Sequence, residues 1–228
     1  MNTRTLLAAA MVVTVIIAAV ILVSADRGSS PLRGTPTPLT AVEVRAYQGE
    51  DLSSITAFRE NSIKGPQYIN ISEYRLTVTG LTSTSDVYTY HEVLERFPHY
   101  SKVVTLFCVE GWDSTILWEG VLVRDLIKKA GPAPRANTVV FTAHDGYTTS
   151  FPLAYLMDRD IIMASSMNNV TLPAERGFPF ALVAEDRWGY KWIKWIERIE
   201  LTDDPAYRGY WEQRGYSNDG DLNKSFYS

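Results

Sequence analysis

The sequence predicts an α+β domain with mixed sheets and short helices, preceded by one transmembrane helix. Short runs rich in β-branched and aromatic residues, each bounded by turn residues, recur from about Val42 to the C-terminus. Helical patterns between them are few and short, unlike the regular alternation of a doubly wound sheet. Ahead of them, LLAAAMVVTVIIAAVILV (Leu6 to Val23) carries no charge and is near the minimum length for a bilayer span.

Residues 1–25 are expected to form a transmembrane anchor or, given the small residues of Val23-Ser24-Ala25, a cleaved signal peptide. Arg4 precedes the apolar run while Arg27 and Arg33 follow it, so the positive-inside bias nearly cancels. The domain is expected to be membrane-anchored and to lie outside the cytoplasm. Residues 26–41, with SSPLRGTPTPLT, are a flexible linker, because prolines among Ser, Thr and Gly favour an extended, solvated chain. Residues 42–228 are one folded domain, since roughly 200 residues suffice for one sizeable core and are too few for two of ordinary size. Within it, YRLTVTG (Tyr74 to Gly80) alternates apolar and polar residues and stops at glycine, as a half-buried strand does. A short helix capped by Ser85 or Asp86 runs to about Phe97 and ends at Pro98. KVVTLFCV (Lys102 to Val109) is too short for a normal helix and reads as a buried strand with Cys108 near its end. LVRDLIKKAG places Leu122, Leu126 and Ile127 at helical spacing, lysines in the last turn and Gly131 as the stop. TVVFTA (Thr138 to Ala143) and YTTSF (Tyr147 to Phe151) flank the Asp145-Gly146 turn as two strands. DIIMASSM, FPFALVAED and YKWIKWIERIEL continue as short strands and turns.

Composition excludes several functions. The formal net charge is -4 and no basic run offers phosphate neutralisation, so nucleic acid is not a partner. Cys108 is the only cysteine, and His91, His99 and His144 lie far apart, which excludes an internal disulfide, a thiolate-rich zinc site and an iron–sulfur cluster. Any metal must bring most of its own ligands. Cys108, in TLFCVEGWDS, is then either a small buried hydrophobe, the commoner fate of a free cysteine, or a soft ligand or nucleophile.

FCVEGW (Phe107 to Trp112), WEGVLVRDLI (Trp118 to Ile127), HDGYTTSFPL (His144 to Leu153), LPAERGFP (Leu172 to Pro179) and RWGYKWIKWIERIEL (Arg187 to Leu201) occur in one order. Together they resemble the molybdopterin-binding domain of the sulfite oxidase family over roughly residues 55 to 215, and are most similar to its compact members of the methionine sulfoxide reductase catalytic subunit type. The resemblance implies a sulfite-oxidase-type molybdopterin-binding fold, molybdenum and molybdopterin as cofactors, and oxygen-atom transfer on a small-molecule substrate, an S- or N-oxide or a sulfite-like ion. It makes Cys108 the catalytic residue and the one protein ligand of the metal, the pterin dithiolene supplying the other sulfurs. A lone cysteine is then the expected count. It places Lys194 and the backbone of Trp192 and Ile193 on the pterin phosphate, with Lys191 a further candidate; solvated lysines beside core tryptophans are the plain alternative. FRENSIKGPQ matches the segment that wraps the pterin and points to Asn61 and Ser62, where an ordinary polar loop is an equal reading. His144 and Asp145 fall near a pterin-contact position, though a hairpin turn accounts for HDG nearly as well. Glu110 turns to the face of Cys108 if the strand persists. The tail YRGYWEQRGYSNDGD either lines the cleft or closes the core.

Two departures qualify the resemblance. Arg176 stands where relatives carry Asn or His before Gly-x-Pro, and Ala181 where many carry arginine, so either Arg176 compensates as a phosphate-binding charge or, equally, the pterin contacts are rearranged. MNTRTLL has only Arg4 where exported relatives carry twin arginines. No haem or iron–sulfur motif is visible, so electrons are expected to pass to or from a separate redox protein, a membrane haem protein being the expected kind. Two rivals stay open: a cofactor-free binding or assembly domain of the same fold, and a thiol enzyme with Cys108 as nucleophile.

Overall fold

Two five-stranded β-sheets share one apolar interior, and the computed structural model describes residues 41–228 of the chain. The expected anchor at residues 1–25, and all but the last residue of the expected linker at 26–41, lie outside the described residues. Among the described residues no helix is long and apolar enough to cross a membrane.

A small hairpin of β1 (Ala46–Tyr47) and β2 (Glu50–Asp51) comes first. One sheet is built from β3 (Leu76–Gly80), β4 (Asp86–Tyr88), β7 (Thr138–Ala143), β8 (Thr148–Pro152) and β12 (Ile196–Thr202), in the order β4-β3-β12-β7-β8. It is mixed, because β12 runs parallel to β3 and antiparallel to β7. The other sheet is antiparallel: β5 (His99–Phe107), β6 (Asp113–Leu122), β9 (Ile162–Met167) and β10 (Val170–Thr171) lie in the order β10-β9-β6-β5, with β11 (Ala181–Leu182) paired to β9. Short helices α1 (Tyr90–Arg96), α2 (Val123–Ala130) and α3 (Leu153–Asp158) complete the α+β arrangement.

The local reasons are legible residue by residue. In β3 the alternation sends Leu76 and Val78 into the core, and Gly80, at φ +92°, ends the strand where an added Cβ would lie 2.2 Å from the Leu201 carbonyl oxygen. In α2 the apolar face buries Val123, Leu126 and Ile127, and Gly131 closes it in the left-handed conformation, its N–H reaching the Ile127 and Lys128 carbonyls at 3.1 and 3.2 Å. The first helix starts later than its sequence suggests. Thr89 caps it, accepting from the Glu92 N–H at 3.2 Å while the Glu92 carboxylate accepts from the Thr89 N–H at 2.9 Å. Ser85 and Asp86 do not cap it, and Asp86 belongs to β4. Strand β5 ends at Phe107, one residue before Cys108, so the chain turns there, and the exposed Glu110 reaches the cleft that Cys108 lines from this turn and not by strand alternation.

Candidate active site

The hairpin of β5 and β6 presents Cys108 at its tip. Phe107 pairs with Asp113, and the turn between them is closed by the Cys108 N–H on the Trp112 carbonyl at 2.9 Å and by the Gly111 N–H on the Cys108 carbonyl at 3.0 Å. Gly189 comes so close that a Cβ there would stand 3.2 Å from the Phe107 oxygen and 3.4 Å from the Cys108 Cα. The thiol is 8% exposed, and the Asn61 side-chain amide donates to its sulfur at 3.7 Å. Burial is the largest influence on this thiol and pushes its pKa up, while the Glu110 N–H and Asn61 favour the thiolate and pull the other way. A nucleophilic thiol needs the opposite balance. No histidine lines the cleft, so the thiol-enzyme rival lacks the imidazole partner that activates such a nucleophile.

A second cluster forms where the chain enters β12. Lys194 Nζ donates to Glu60 Oε1 at 2.6 Å and to the Glu175 carbonyl at 3.2 Å, and lies 4.3 Å from the centre of the Trp195 ring. Burial lowers the pKa of Lys194 and the Glu60 carboxylate opposes that shift. Trp195 is held at φ +54°, a costly conformation for a bulky residue, by its indole N–H on the Ala174 carbonyl at 2.7 Å and by its own carbonyl accepting from the His144 N–H at 2.9 Å. Gly177 leaves no room for a side chain: a Cβ there would be 2.9 Å from the Lys194 Cβ.

One cleft of about 470 Å³ joins the two clusters and brings together Asn61, Ser62, Cys108, Asp145, Arg176, Trp192, Ile193 and Lys194. Two expected site residues lie elsewhere. His144 is on the surface with Nδ1 on Glu197 at 2.5 Å. Lys191 is fully buried, and its three donors are spent on Glu212 Oε1 at 2.7 Å and on the Ser150 and Asn218 carbonyls at 2.7 and 3.0 Å. The backbone expectation is corrected as well: the Trp192 and Ile193 N–H groups are not free but donate to the Gly189 and Lys191 carbonyls at 3.0 and 3.1 Å. Asp145 lines the cleft and also makes the plain turn, its carboxylate accepting from the Tyr147 N–H at 2.9 Å. From the tail, Trp211 and Tyr216 line the cleft. Sequence reasoning passed over Glu60, although it stands directly before Asn61 in FRENS, and over Phe58, whose ring stacks on Trp112 at 5.8 Å.

Arg176 lines the cleft and also bonds the wall segment beside it. Its Nε donates to the Ile55 carbonyl at 2.8 Å, Nη2 to Phe58 at 2.6 Å and Nη1 to Arg59 at 3.2 Å, and its guanidinium covers the Phe58 ring at 3.9 Å. Its donors are turned on the chain itself.

Residues 63–211 match the family described as oxidoreductase molybdopterin binding domain. Cys108, Asp145, Arg176 and Lys194 fall inside that match, and Asn61 and Ser62 lie just ahead of it. The chain is 31% identical over 157 residues to the oxidoreductase YuiH of Bacillus subtilis (strain 168), covering 68% of this chain and 78% of that protein. It is 33% identical over 150 residues to YedZ1 of Azospira oryzae, described among protein-methionine-sulfoxide reductase subunits, covering 65% of this chain and 56% of that protein. Identity to mitochondrial sulfite oxidase of Rattus norvegicus is 28% over 188 residues, 70% of this chain but 34% of that enzyme. Among solved structures, the sulfane dehydrogenase SoxCD of Paracoccus pantotrophus superposes with a TM-score of 0.61 at 22% identity, covering 78% of this chain and 56% of that one, and so shares the fold.

Proposed function

Since the chain belongs to the oxidoreductase molybdopterin binding domain family and is therefore a molybdenum-cofactor oxidoreductase, we propose that it transfers an oxygen atom to or from a small neutral substrate, an S-oxide or N-oxide, with Cys108 as the one protein ligand of the metal and Lys194 at the phosphate end of the pterin. The cofactor, when bound, supplies two-electron oxygen-atom exchange.

The residues present fit such a group. Among the described residues no three His, Cys, Asp or Glu side chains are grouped to hold a metal ion, so a metal at Cys108 has to arrive with its other ligands attached, as a dithiolene-bound metal does. A single soft sulfur at one end of a cleft and a half-buried lysine at the other match a molecule with a metal at one end and an anion at the other. Asn61 orients the sulfur and favours its charged form, as a hydrogen-bond donor to a ligand should. Phe58, Trp112, Tyr190 and Tyr216 wall the Cys108 end, keep water out and offer an apolar surface to the substrate body.

The observation that carries the substrate class is charge. Three cationic side chains, Arg59, Arg176 and Lys194, line the cleft against four carboxylates, Glu60, Glu110, Asp145 and Glu175. Lys194 is paired with Glu60 at 2.6 Å and Arg176 is bonded to three carbonyls, while Arg59 is largely exposed and only loosely paired with Glu110 at 3.8 Å. An oxyanion at the Cys108 end would therefore enter beside carboxylates with only the exposed, loosely paired Arg59 to meet it. A neutral S- or N-oxide meets no such cost.

Electrons are proposed to come from a separate redox protein, a membrane haem protein in the simplest case, with the domain anchored outside the cytoplasm by residues 1–25. Support for a partner lies in the description of a relative as a subunit. The test is expression of the full chain in a cofactor-producing host, elemental analysis with fluorimetry of released pterin, then turnover of a dialkyl sulfoxide and of sulfite by the loaded protein. Stoichiometric molybdenum and pterin with sulfoxide reduction is the expected result. Efficient sulfite oxidation without sulfoxide reduction would overturn the neutral-substrate assignment.

A further inference from the structure

We propose that Arg176 is a positioning residue that fastens the wall segment of residues 55–62 over the cleft, setting Asn61 against Cys108 and Glu60 against Lys194, and that it is not a ligand of the cofactor phosphate. Between β2 and β3 the chain forms no helix or strand, so no ladder of backbone bonds fixes this wall. Its carbonyls still need donors. The Arg176 guanidinium supplies them from one rigid fork, reaching Ile55, Phe58 and Arg59 in turn. It also sits over the Phe58 ring at 3.9 Å, and that ring stacks on Trp112 in the turn that carries Cys108. The two residues beyond the fastened stretch are the ones that touch the ends of the site: Glu60 on Lys194 at 2.6 Å and Asn61 on the Cys108 sulfur at 3.7 Å. A lysine at 176 would keep the charge, but its three N–H donors fan out from one atom, whereas the three carbonyls of residues 55, 58 and 59 are met by three separate nitrogens of the fork.

The assignment rests on Cys108 and Lys194 marking the two ends of the site, but its main test needs no cofactor. Cys108 is the only thiol, so the colour released by Ellman's reagent reports this sulfur alone. In the full chain purified from a host unable to make molybdopterin, Arg176→Lys and Arg176→Gln are both expected to raise the rate of Cys108 modification by about tenfold or more. Deuterium exchange at residues 55–62 rises with it in both variants. In molybdenum-loaded protein, Arg176→Lys shifts the electron paramagnetic resonance parameters of the metal, because Asn61 no longer meets the sulfur. Should Arg176 instead be a phosphate ligand, the lysine variant keeps the parental thiol rate and exchange pattern, and that outcome overturns the proposal. If neither variant folds, Phe58→Leu removes the stack and leaves the fork; a smaller rise in thiol rate is expected, and the parental rate overturns it. Failure of the cofactor reading would appear separately, as protein without molybdenum or pterin from a cofactor-producing host.

Discussion

Lys191 and Lys194 stand three positions apart and have opposite duties. Burial pulls the pKa of Lys191 down and the Glu212 carboxylate restores part of it, yet the pair has no exposed surface at all. Removing one partner leaves a lone charge inside, so Lys191→Met is expected to cost about 3–5 kcal/mol, read from the midpoint of urea unfolding. Pterin content of the protein that still folds should not change. A folded Lys191→Met protein without pterin would return this residue to the site. Cys108→Ser is the complementary case. A hydroxyl is a poor ligand for a soft, dithiolene-bound metal, so turnover should be lost while pterin, held from the Lys194 end, is retained with the metal its own sulfurs carry. Elemental analysis beside pterin fluorescence and a turnover assay separates loading from activity. The cysteine end of the cleft could be read from the sequence, because one cysteine among FCVEGW is a local signal. The two lysines could not be told apart, since GYKWIKW offers both; only the short turn Gly189–Lys191 and the left-handed Trp195 decide which of them enters the interior.

At the scale of elements, strands with one buried face and helices with clear stops were legible, as in β3 and in α2 with Gly131. Strand β6, the long neighbour of β5, was not. It is buried on both faces through Ile116, Leu117 and Trp118, so it shows no alternation, and its apolar end runs on into α2 without a turn residue. A bulge between Glu119 and Gly120 against β9 breaks its period again, and Gly120 is required there because a Cβ would lie 2.2 Å from the Met163 oxygen. Helix α1 was misplaced by a few residues because Ser85, Asp86 and Thr89 are all competent caps, and the choice falls on the one with Glu three residues on. That capping box makes two predictions. Thr89→Ala should cost about 1 kcal/mol, a fall in Tm of about 2–4 °C for a domain of this size. The bonds from Thr89 also hold the Glu92 carboxyl below its ordinary range. Folding therefore favours the charged form: the stabilisation is present above the unfolded-state pKa and is lost as pH falls through the lower folded one. Glu92→Gln should flatten the acid limb of Tm against pH and leave the neutral region with a constant offset. An unaltered acid limb would show that the box is not formed in solution.

For the whole molecule, the site exists only because distant segments meet. Asn61 reaches Cys108 across 47 positions and Glu60 reaches Lys194 across 134, contacts that no local pattern announces. The parallel pairing of β3 with β12 is equally non-local. Family resemblance supplied what periodicity could not, though at Arg176 a departure from the relatives gave no clue to the three carbonyls it bonds. The same assembly fixes the electrostatics that a substrate experiences. The chain carries a formal net charge of -4, and the cleft lining has more carboxylates than cations. A negative field of this kind neither steers nor holds an anion, and whatever effect it has on charged molecules must weaken as salt screens it. Between about 0.01 M and 0.15 M ionic strength the Debye length falls from about 30 Å to about 8 Å. A neutral S-oxide has no net charge to screen, so its KM in the loaded enzyme should hold within about twofold across that range, whereas sulfite offered as a competitor should inhibit weakly and inhibit better at high salt than at low. Steady-state kinetics at the two ionic strengths reads both trends. Tight inhibition by sulfite that weakens with added salt would reveal a free cation at the Cys108 end, and with it an oxyanion substrate.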